Sequence, residues 1–262
     1  MTGEPDRHPD RRPVVVTGGS SGIGASTALA FGALGHPVVV ASRRVEVCEE
    51  VAAKVRAEGG EAVALPLDVG DAASVEVFVS AAEQAIGPIE VLVSNAGDVL
   101  PTSVLDTHPD EFARQVHINL LGAQRLVHAF AAGMVERRRG DVVFVTSDVV
   151  RVPRPSMSSY VASKWGLEGL ARAMQMELEG TGVRASIVRP GPTMTGMGMD
   201  WDSEVVTPLL EEWKRWGLVR HGGYLTPGAI AQAVVTVSTA ARGTHLTLVE
   251  VEPEAPVKDP SG

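Results

Sequence analysis

The sequence has one cysteine, seven scattered histidines with no i, i+4 pairing, and no long block of one charge. Each shortage excludes something. Cys48, in a helical stretch beside Glu49 and Glu50, cannot close an internal disulfide, which suits a cytoplasmic location. Without clustered histidine and cysteine ligands, no built-in metal site is expected. No apolar run reaches the ~18 residues that a helical membrane span needs, so none is expected. Residues 1–12 are polar and lack an apolar core, which reads as a flexible arm rather than a secretory signal; residues 253–262 read as a flexible tail. A net charge of −9 without a basic block argues against nucleic acid as a partner. The densest basic cluster, Arg137-Arg138-Arg139, falls where a helix should end, and there it suits the helix dipole.

What is present points to one globular domain over residues 13–252, with 44% hydrophobic and 21% charged residues in a chain of 262. Val14-Val15-Val16 is a β-branched run suited to a buried strand. Thr17-Gly18-Gly19-Ser20-Ser21-Gly22-Ile23-Gly24 follows, then Ala28, Phe31 and Leu34 at helical spacing before Gly35. A second strand over 37–41 leads into Ser42-Arg43-Arg44. Strand, glycine turn, helix, strand makes a right-handed crossover whose helix N-terminus offers free N–H groups to a phosphate. No lysine follows Gly22 or Gly24, so this is no triphosphate P-loop, and the order Gly-x-Gly-x-x-Gly is not met either. Three glycines after a strand also suit a plain tight turn.

The alternation continues. Patterning predicts a helix over 45–57 and a strand over 62–67 closed by Asp68-Val69-Gly70. Next come a helix capped by Asp71, a strand over 89–93 running into Ser94-Asn95-Ala96-Gly97, and a helix over 107–137 capped by Thr107. A strand over 141–147, a helix over 158–179, a strand over 183–188, a helix starting at Thr226-Pro227 and a strand over 246–251 complete the pattern. Alternating apolar strands and helices imply a parallel sheet covered on both faces, with functional groups at the carboxyl ends of the strands.

Ser147 closes the fifth strand there, and Tyr160 and Lys164, one helical turn apart, share a helix face. A phenol titrates near 10. An adjacent ammonium favours the phenolate, making the group a base for alcohol oxidation and an acid for carbonyl reduction. A serine hydroxyl can hydrogen-bond the oxygen where charge develops. Taken alone, Tyr-x3-Lys also fits a buried tyrosine beside a solvated lysine.

The glycine loop, Asn95-Ala96-Gly97, Ser147 with Tyr160 and Lys164, and Pro190-Gly191 occur in one order, each at a strand end. In this the chain resembles the short-chain dehydrogenase/reductase family, closely over residues 14–195. The resemblance implies a single-domain, Rossmann-like, doubly wound α/β fold and an oxidoreductase. It implies Asn119, Ser147, Tyr160 and Lys164 as catalytic residues, Asn119 holding a water for proton relay. It implies cofactor binding by Gly18, Ser20, Ser21, Gly22, Ile23 and Gly24 at the pyrophosphate, and by Ser42, Arg43 and Arg44 at the adenosine ribose. Asp68 and Val69 are implied beside the adenine, and Asn95, Ala96 and Gly97 along the central strand. Tyr160, Lys164, Pro190, Gly191, Thr193 and Thr195 are implied toward the nicotinamide. Ser94 stands where many members carry a second asparagine, and the family's frequent closing Asp-Gly-Gly is missing.

The expected cofactor is NADP(H), with NAD(H) as the alternative. Enzymes preferring NAD place a carboxylate at the end of the second strand, where Ser42, Arg43 and Arg44 stand. The expected substrate is a small-molecule carbonyl compound or alcohol, bulky and apolar. It would be enclosed by a lid over 194–225 that carries Met194, Met197 and Met199 with Gly196 and Gly198, then Trp201, Trp213, Trp216 and Tyr224. If residues 209–216 are helical, Leu209, Trp213 and Trp216 share one face. No basic residue lies between Thr195 and Trp213, so small keto acids are expected to be poor substrates. A non-catalytic cofactor sensor or scaffold is the alternative function. The helices over 107–137 and 158–179 are apolar beyond one stripe, as Leu167, Leu170, Met174 and Leu178 illustrate, which implies a homodimer or homotetramer.

Overall fold

A computed structural model describes residues 11–196 and 201–256. Seven parallel strands form one sheet in the order β3-β2-β1-β4-β5-β6-β7. They are β1 Val14–Thr17, β2 Pro37–Ser42, β3 Glu61–Pro66, β4 Val91–Ser94, β5 Gly140–Val145, β6 Val183–Pro190 and β7 Leu248–Val251. The helices are α1 Gly22–Ala33, α2 Val45–Ala57, α3 Ala72–Ile86, α4 Pro109–Val116, α5 Gly122–Glu136, α6 Ser158–Glu177, α7 Ser203–Arg215 and α8 Pro227–Thr239. Each parallel pair needs a crossover, and the helices fill those crossovers on both faces.

The two-residue period of a strand sorts the core into two layers. Val14 and Val16 join Phe31 of α1, Val51 of α2 and Ile230 of α8 on one face. Val15 turns the other way, to Phe78 of α3, Leu126 of α5 and Leu167 of α6. Strand order reverses direction between β1 and β4, so the loops after those two strands part and open a crevice at their carboxyl ends.

Several local expectations need correction. Arg12, assigned above to the flexible arm, is buried. Its guanidinium pairs with Asp141 and Glu90 and donates to the Ser238 carbonyl at 2.8 Å. A buried guanidinium is tolerated because each face finds an acceptor. Pro253, assigned to the tail, lines the crevice. The N-cap of α4 is His108, whose Nδ1 accepts from the Asp110 N–H at 3.3 Å; Thr107 spends its hydroxyl on the Ser103 carbonyl. The run from α4 to α5 is not one α-helix, because a π turn spans His117–Leu121. Leu167 and Met174, offered as a second apolar face of α6, lie in the core, with Leu170 and Leu178 packed against it. The large apolar side chains exposed on this side are Phe112, Leu121, Trp165 and Met176. Among the described residues, no helix is long and apolar enough to cross a membrane.

Candidate active site

One cleft of about 1600 Å³ runs along the carboxyl ends of the strands, ample for a dinucleotide and a second small molecule. At one end lies the glycine loop. Gly18 and Gly22 have φ of +65° and +55°, which side chains rarely adopt. A Cβ on Gly24 would lie 2.2 Å from the Gly18 carbonyl, so that glycine closes the turn from behind, while Ser20, Ser21, Gly22 and Ile23 face the cleft. Asn95 braces the loop: its Nδ2 donates to the Thr17 carbonyl at 2.9 Å, and its own N–H donates to Thr17 Oγ1 at 3.0 Å. The loop thus leaves backbone donors facing the cleft at the start of α1, a cradle fit for a pyrophosphate.

Beyond the end of β2, Arg44 donates to Ser20 Oγ at 3.0 Å and to Ser21 Oγ at 3.3 Å, linking strand end to glycine loop. Ser42 accepts from the Arg44 N–H and lies 3.1 Å from Cys48 Sγ. Arg43 is exposed at the rim. Among the described residues, the end of β2 carries Ser42, Arg43 and Arg44 in place of a carboxylate. Asp68 and Val69 line the adjoining wall, with Asp68 Oδ1 accepting from the Gly70 N–H at 2.9 Å. Ala96, Gly97, Pro190, Gly191, Thr193 and Thr195 line the central stretch. Thr195 comes close to the glycine loop: a Cβ on Gly22 would be 3.1 Å from it. The lid positions Met197, Gly198 and Met199 lie outside the described residues.

The chemistry-bearing side chains meet between β5 and α6. Tyr160 is buried against Val99, Val149 and Met157, within hydrogen-bonding reach of the Ser147 hydroxyl. Lys164 Nζ donates to the Val145 carbonyl at 3.0 Å and sits 5.6 Å from the centre of the Tyr160 ring. Burial pushes the Tyr160 phenol up to about 12; the Ser147 hydroxyl and Arg154 oppose that rise and Asp148 adds to it. Burial also pushes the Lys164 ammonium down to about 8. The tyrosine therefore carries its proton at neutral pH and is set to donate it.

Asn119, in the π turn, is fully enclosed behind this group. Its Nδ2 donates to the Asp98 carbonyl at 2.8 Å and to Ser163 Oγ at 2.9 Å, and its Oδ1 accepts from the Asp98 N–H at 2.7 Å. Both Nδ2 hydrogens are spent, so the Asn119 amide has no N–H left to offer a water. Gly97 fills the gap, since a Cβ there would lie 3.2 Å from Asn119 Oδ1 and 3.6 Å from Lys164 Nζ.

The lid helix α7 roofs the substrate end. Trp201 and Trp213 pack on the cluster of Val99, Val149, Met157 and Tyr160, and Trp213 Nε1 donates to the Pro155 carbonyl at 3.2 Å. Trp216 does not share that face: it ends the helix, exposed, beside Arg215. The cleft is also less purely apolar than the sequence implies. Arg114, Arg151 and Arg154 line it, each held by carboxylates: Asp98 and Glu111, Glu250 and Glu252, and Asp148 respectively. Glu250 and Glu252 belong to the atypical C-terminal end, which is thereby clasped to the loop following Ser147. Sequence reading missed these residues. The charged Asp148 directly after Ser147, and the arginines on both sides of Pro153, were the available signal. Among the described residues, no group of three or more potential ligands is placed to hold a metal ion.

The family model for short chain dehydrogenases matches residues 12–205, and the chain belongs to that family of NAD(P)-dependent oxidoreductases acting on CH–OH groups. It is 30% identical to 2,3-dihydro-2,3-dihydroxybenzoate dehydrogenase of Bacillus subtilis, over 89% of this chain and 90% of that one. It is 33% identical to glycine betaine reductase ATRR of Emericella nidulans over 91% of its own length, but spans only 18% of that much longer protein. Among solved structures, a metagenomic short-chain oxidoreductase in complex with NADP superposes with a TM-score of 0.78 at 30% identity, covering 94% of this chain and 98% of that one. An alcohol dehydrogenase from Thermococcus sibiricus complexed with 5-hydroxy-NADP gives 0.81 at 27% identity, covering 95% and 100%.

Proposed function

We propose that the protein is an NADP(H)-dependent oxidoreductase that interconverts a bulky apolar carbonyl compound and its secondary alcohol. The observation that carries this reading is the convergence of Ser147, Tyr160 and Lys164 on one cleft that also holds the glycine loop and an aromatic roof. Gly18, Ser20, Ser21, Gly22, Ile23 and Gly24 would hold the pyrophosphate, Asp68 and Val69 the adenine, and Lys164 and Thr195 the nicotinamide end. When bound, the oxidised cofactor would accept a hydride and the reduced cofactor would donate one. Tyr160 gives its proton to the carbonyl oxygen in reduction and recovers one in oxidation, and Ser147 orients that oxygen. Lys164 holds positive charge near the phenol, and Asn119 braces the wall behind it.

The preference for NADP(H) over NAD(H) is supported by Arg43 and Arg44 at the ribose corner, where guanidinium groups suit a 2′-phosphate. The apolar preference is supported by Val99, Val149, Met157, Trp201 and Trp213 around Tyr160, and by the ion pairs that Arg114, Arg151 and Arg154 already make; Arg220 and His221 also line the cleft. NADPH consumption should be faster with a bulky aryl or alkyl ketone than with a short keto acid. Trp213→Ala should lower kcat/KM for the ketone by about tenfold, as loss of one aromatic contact implies, and lower it for the keto acid by a smaller factor. Faster turnover of the keto acid by the wild type would overturn the substrate reading.

The exposed side chains Phe112, Leu121 and Trp165 on the α4–α6 side support self-association into a dimer or tetramer. Light scattering at micromolar concentration should report twice or four times the chain's 27.5 kDa; a monomer would refute it.

A further inference from the structure

Asp148 follows the strand-end serine directly, and it is buried. Its Oδ1 accepts from the Ser147 hydroxyl at 3.1 Å and from Arg154 Nη1 at 3.0 Å, while Arg154 Nη2 donates to Oδ2, a two-pronged ion pair with both side chains only 10% exposed. On its far side the Arg154 guanidinium lies 5.5 Å from the centre of the Trp213 ring, and Trp213 is fastened to the Pro155 carbonyl. A continuous set of contacts thus runs from the lid helix through Arg154 and Asp148 to Ser147 and Tyr160.

We propose that Asp148 and Arg154 form a positioning pair that controls where the Ser147 hydrogen points and how tightly Tyr160 holds its proton, and that Trp213 ties this control to the seating of the lid. Ser147 has one hydrogen to give. In the structure Asp148 takes it and the Val149 N–H donates to Ser147 Oγ at 3.4 Å, which leaves one Ser147 lone pair for the nearby Tyr160 hydroxyl. When the phenolate forms, or when the substrate oxygen gains charge, that hydrogen has to swing toward them. Arg154 makes the swing easier by drawing on the Asp148 charge. Without Arg154, the carboxylate would keep the serine hydrogen and repel the phenolate; without the Asp148 charge, a nearby guanidinium would favour the phenolate. The pair is little exposed, so solvent screens these effects weakly.

The charged groups that face Tyr160 among the described residues are Lys164 on its own helix and Asp148 and Arg154 on the β5–α6 loop; its packing neighbours from the β4 loop and the lid, Val99, Trp201 and Trp213, carry no charge. This inference rests on Tyr160 as the acid–base group of the proposed oxidoreductase. Two readouts keep the failures apart. The first is the pH profile of kcat/KM for oxidation of an apolar secondary alcohol with NADP, with Tyr160→Phe run alongside. The second needs no substrate: tyrosinate absorbance in a Tyr224→Phe background, where Tyr160 is the remaining one of the chain's two tyrosines.

Arg154→Met should move the alkaline rise of both curves to higher pH, because the Asp148 charge then faces the phenolate uncompensated. Asp148→Asn should move it down, and the double variant Asp148→Asn/Arg154→Met should return near the wild type. Arg154→Lys should restore most of the position, and Trp213→Leu should give a smaller shift in the Arg154→Met direction. Curves that superimpose, or two single variants that shift the same way, would overturn the pair's role. A wild-type position in Trp213→Leu would overturn the link to the lid. Full turnover in Tyr160→Phe would instead refute the acid–base assignment, while the absorbance titration still reports on the pair.

Discussion

Tyr160→Phe is expected to lower kcat by about a thousandfold, within the range that a positioned proton donor contributes, while the NADP(H) dissociation constant stays within a few-fold. The phenylalanine ring keeps its packing against Val99, Val149 and Met157, and only the transferable proton is lost. Lys164→Ala should behave differently. The ammonium neighbours the Tyr160 ring and holds the Val145 carbonyl at the floor of the cleft, so both cofactor affinity and turnover should fall. Stopped-flow hydride transfer and cofactor fluorescence titration separate the two effects. Equal turnover in wild type and Tyr160→Phe would remove the tyrosine from the chemistry.

The second large effect concerns the cofactor. The wild type should bind NADP more tightly than NAD by about ten- to a hundredfold, the equivalent of one charge-assisted contact to the 2′-phosphate. Arg43→Ala/Arg44→Ala should erase most of that ratio, mainly through the NADP constant, with NAD weakened only as far as Arg44→Ala alone weakens it. Arg44 already bonds to Ser20 and Ser21, so its loss also loosens the glycine loop, whereas Arg43 is free to reach outward at the rim. The single variants should therefore differ: Arg43→Ala alone should change NADP affinity only, and Arg44→Ala should weaken both cofactors somewhat. Calorimetric or fluorescence titration gives all the constants. Tighter binding of NAD by the wild type would overturn the assignment.

Much of this site is legible in the sequence because its parts are local. The Val14–Val16 run with Gly18, Gly22 and Gly24 is one strand and one turn, and a glycine spacing reports directly on the φ values and close approaches found there. Tyr160 and Lys164 share a face because of helical geometry alone. Asp71 and Thr226 cap the helices their positions suggest. Helix capping fails as a guide at Thr107, whose hydroxyl has a competing acceptor in the Ser103 carbonyl. Periodicity fails at His117–Leu121, where a helical pattern cannot distinguish an α from a π turn.

The strand–helix alternation, the order of the strand ends and the loops that carry the chemistry were determined by the sequence itself, since each depends on residues a few positions apart. Partnership over distance was decided only by the fold. Arg12 looks like a polar arm until Asp141, 129 residues on, is brought beside it. Arg154 looks like a loop charge until burial beside Asp148 and Trp213 makes it a neighbour of the catalytic tyrosine. Trp213 and Trp216 are equally aromatic and one helical turn apart, yet Trp213 roofs the cleft and Trp216 faces solvent, because only Trp213 finds the Pro155 carbonyl and the cluster around Tyr160. The physical reason is the same in each case. Spacing along the chain specifies backbone geometry, whereas the environment of a charge or a ring depends on which distant segments the packed sheet brings within a few ångströms of it.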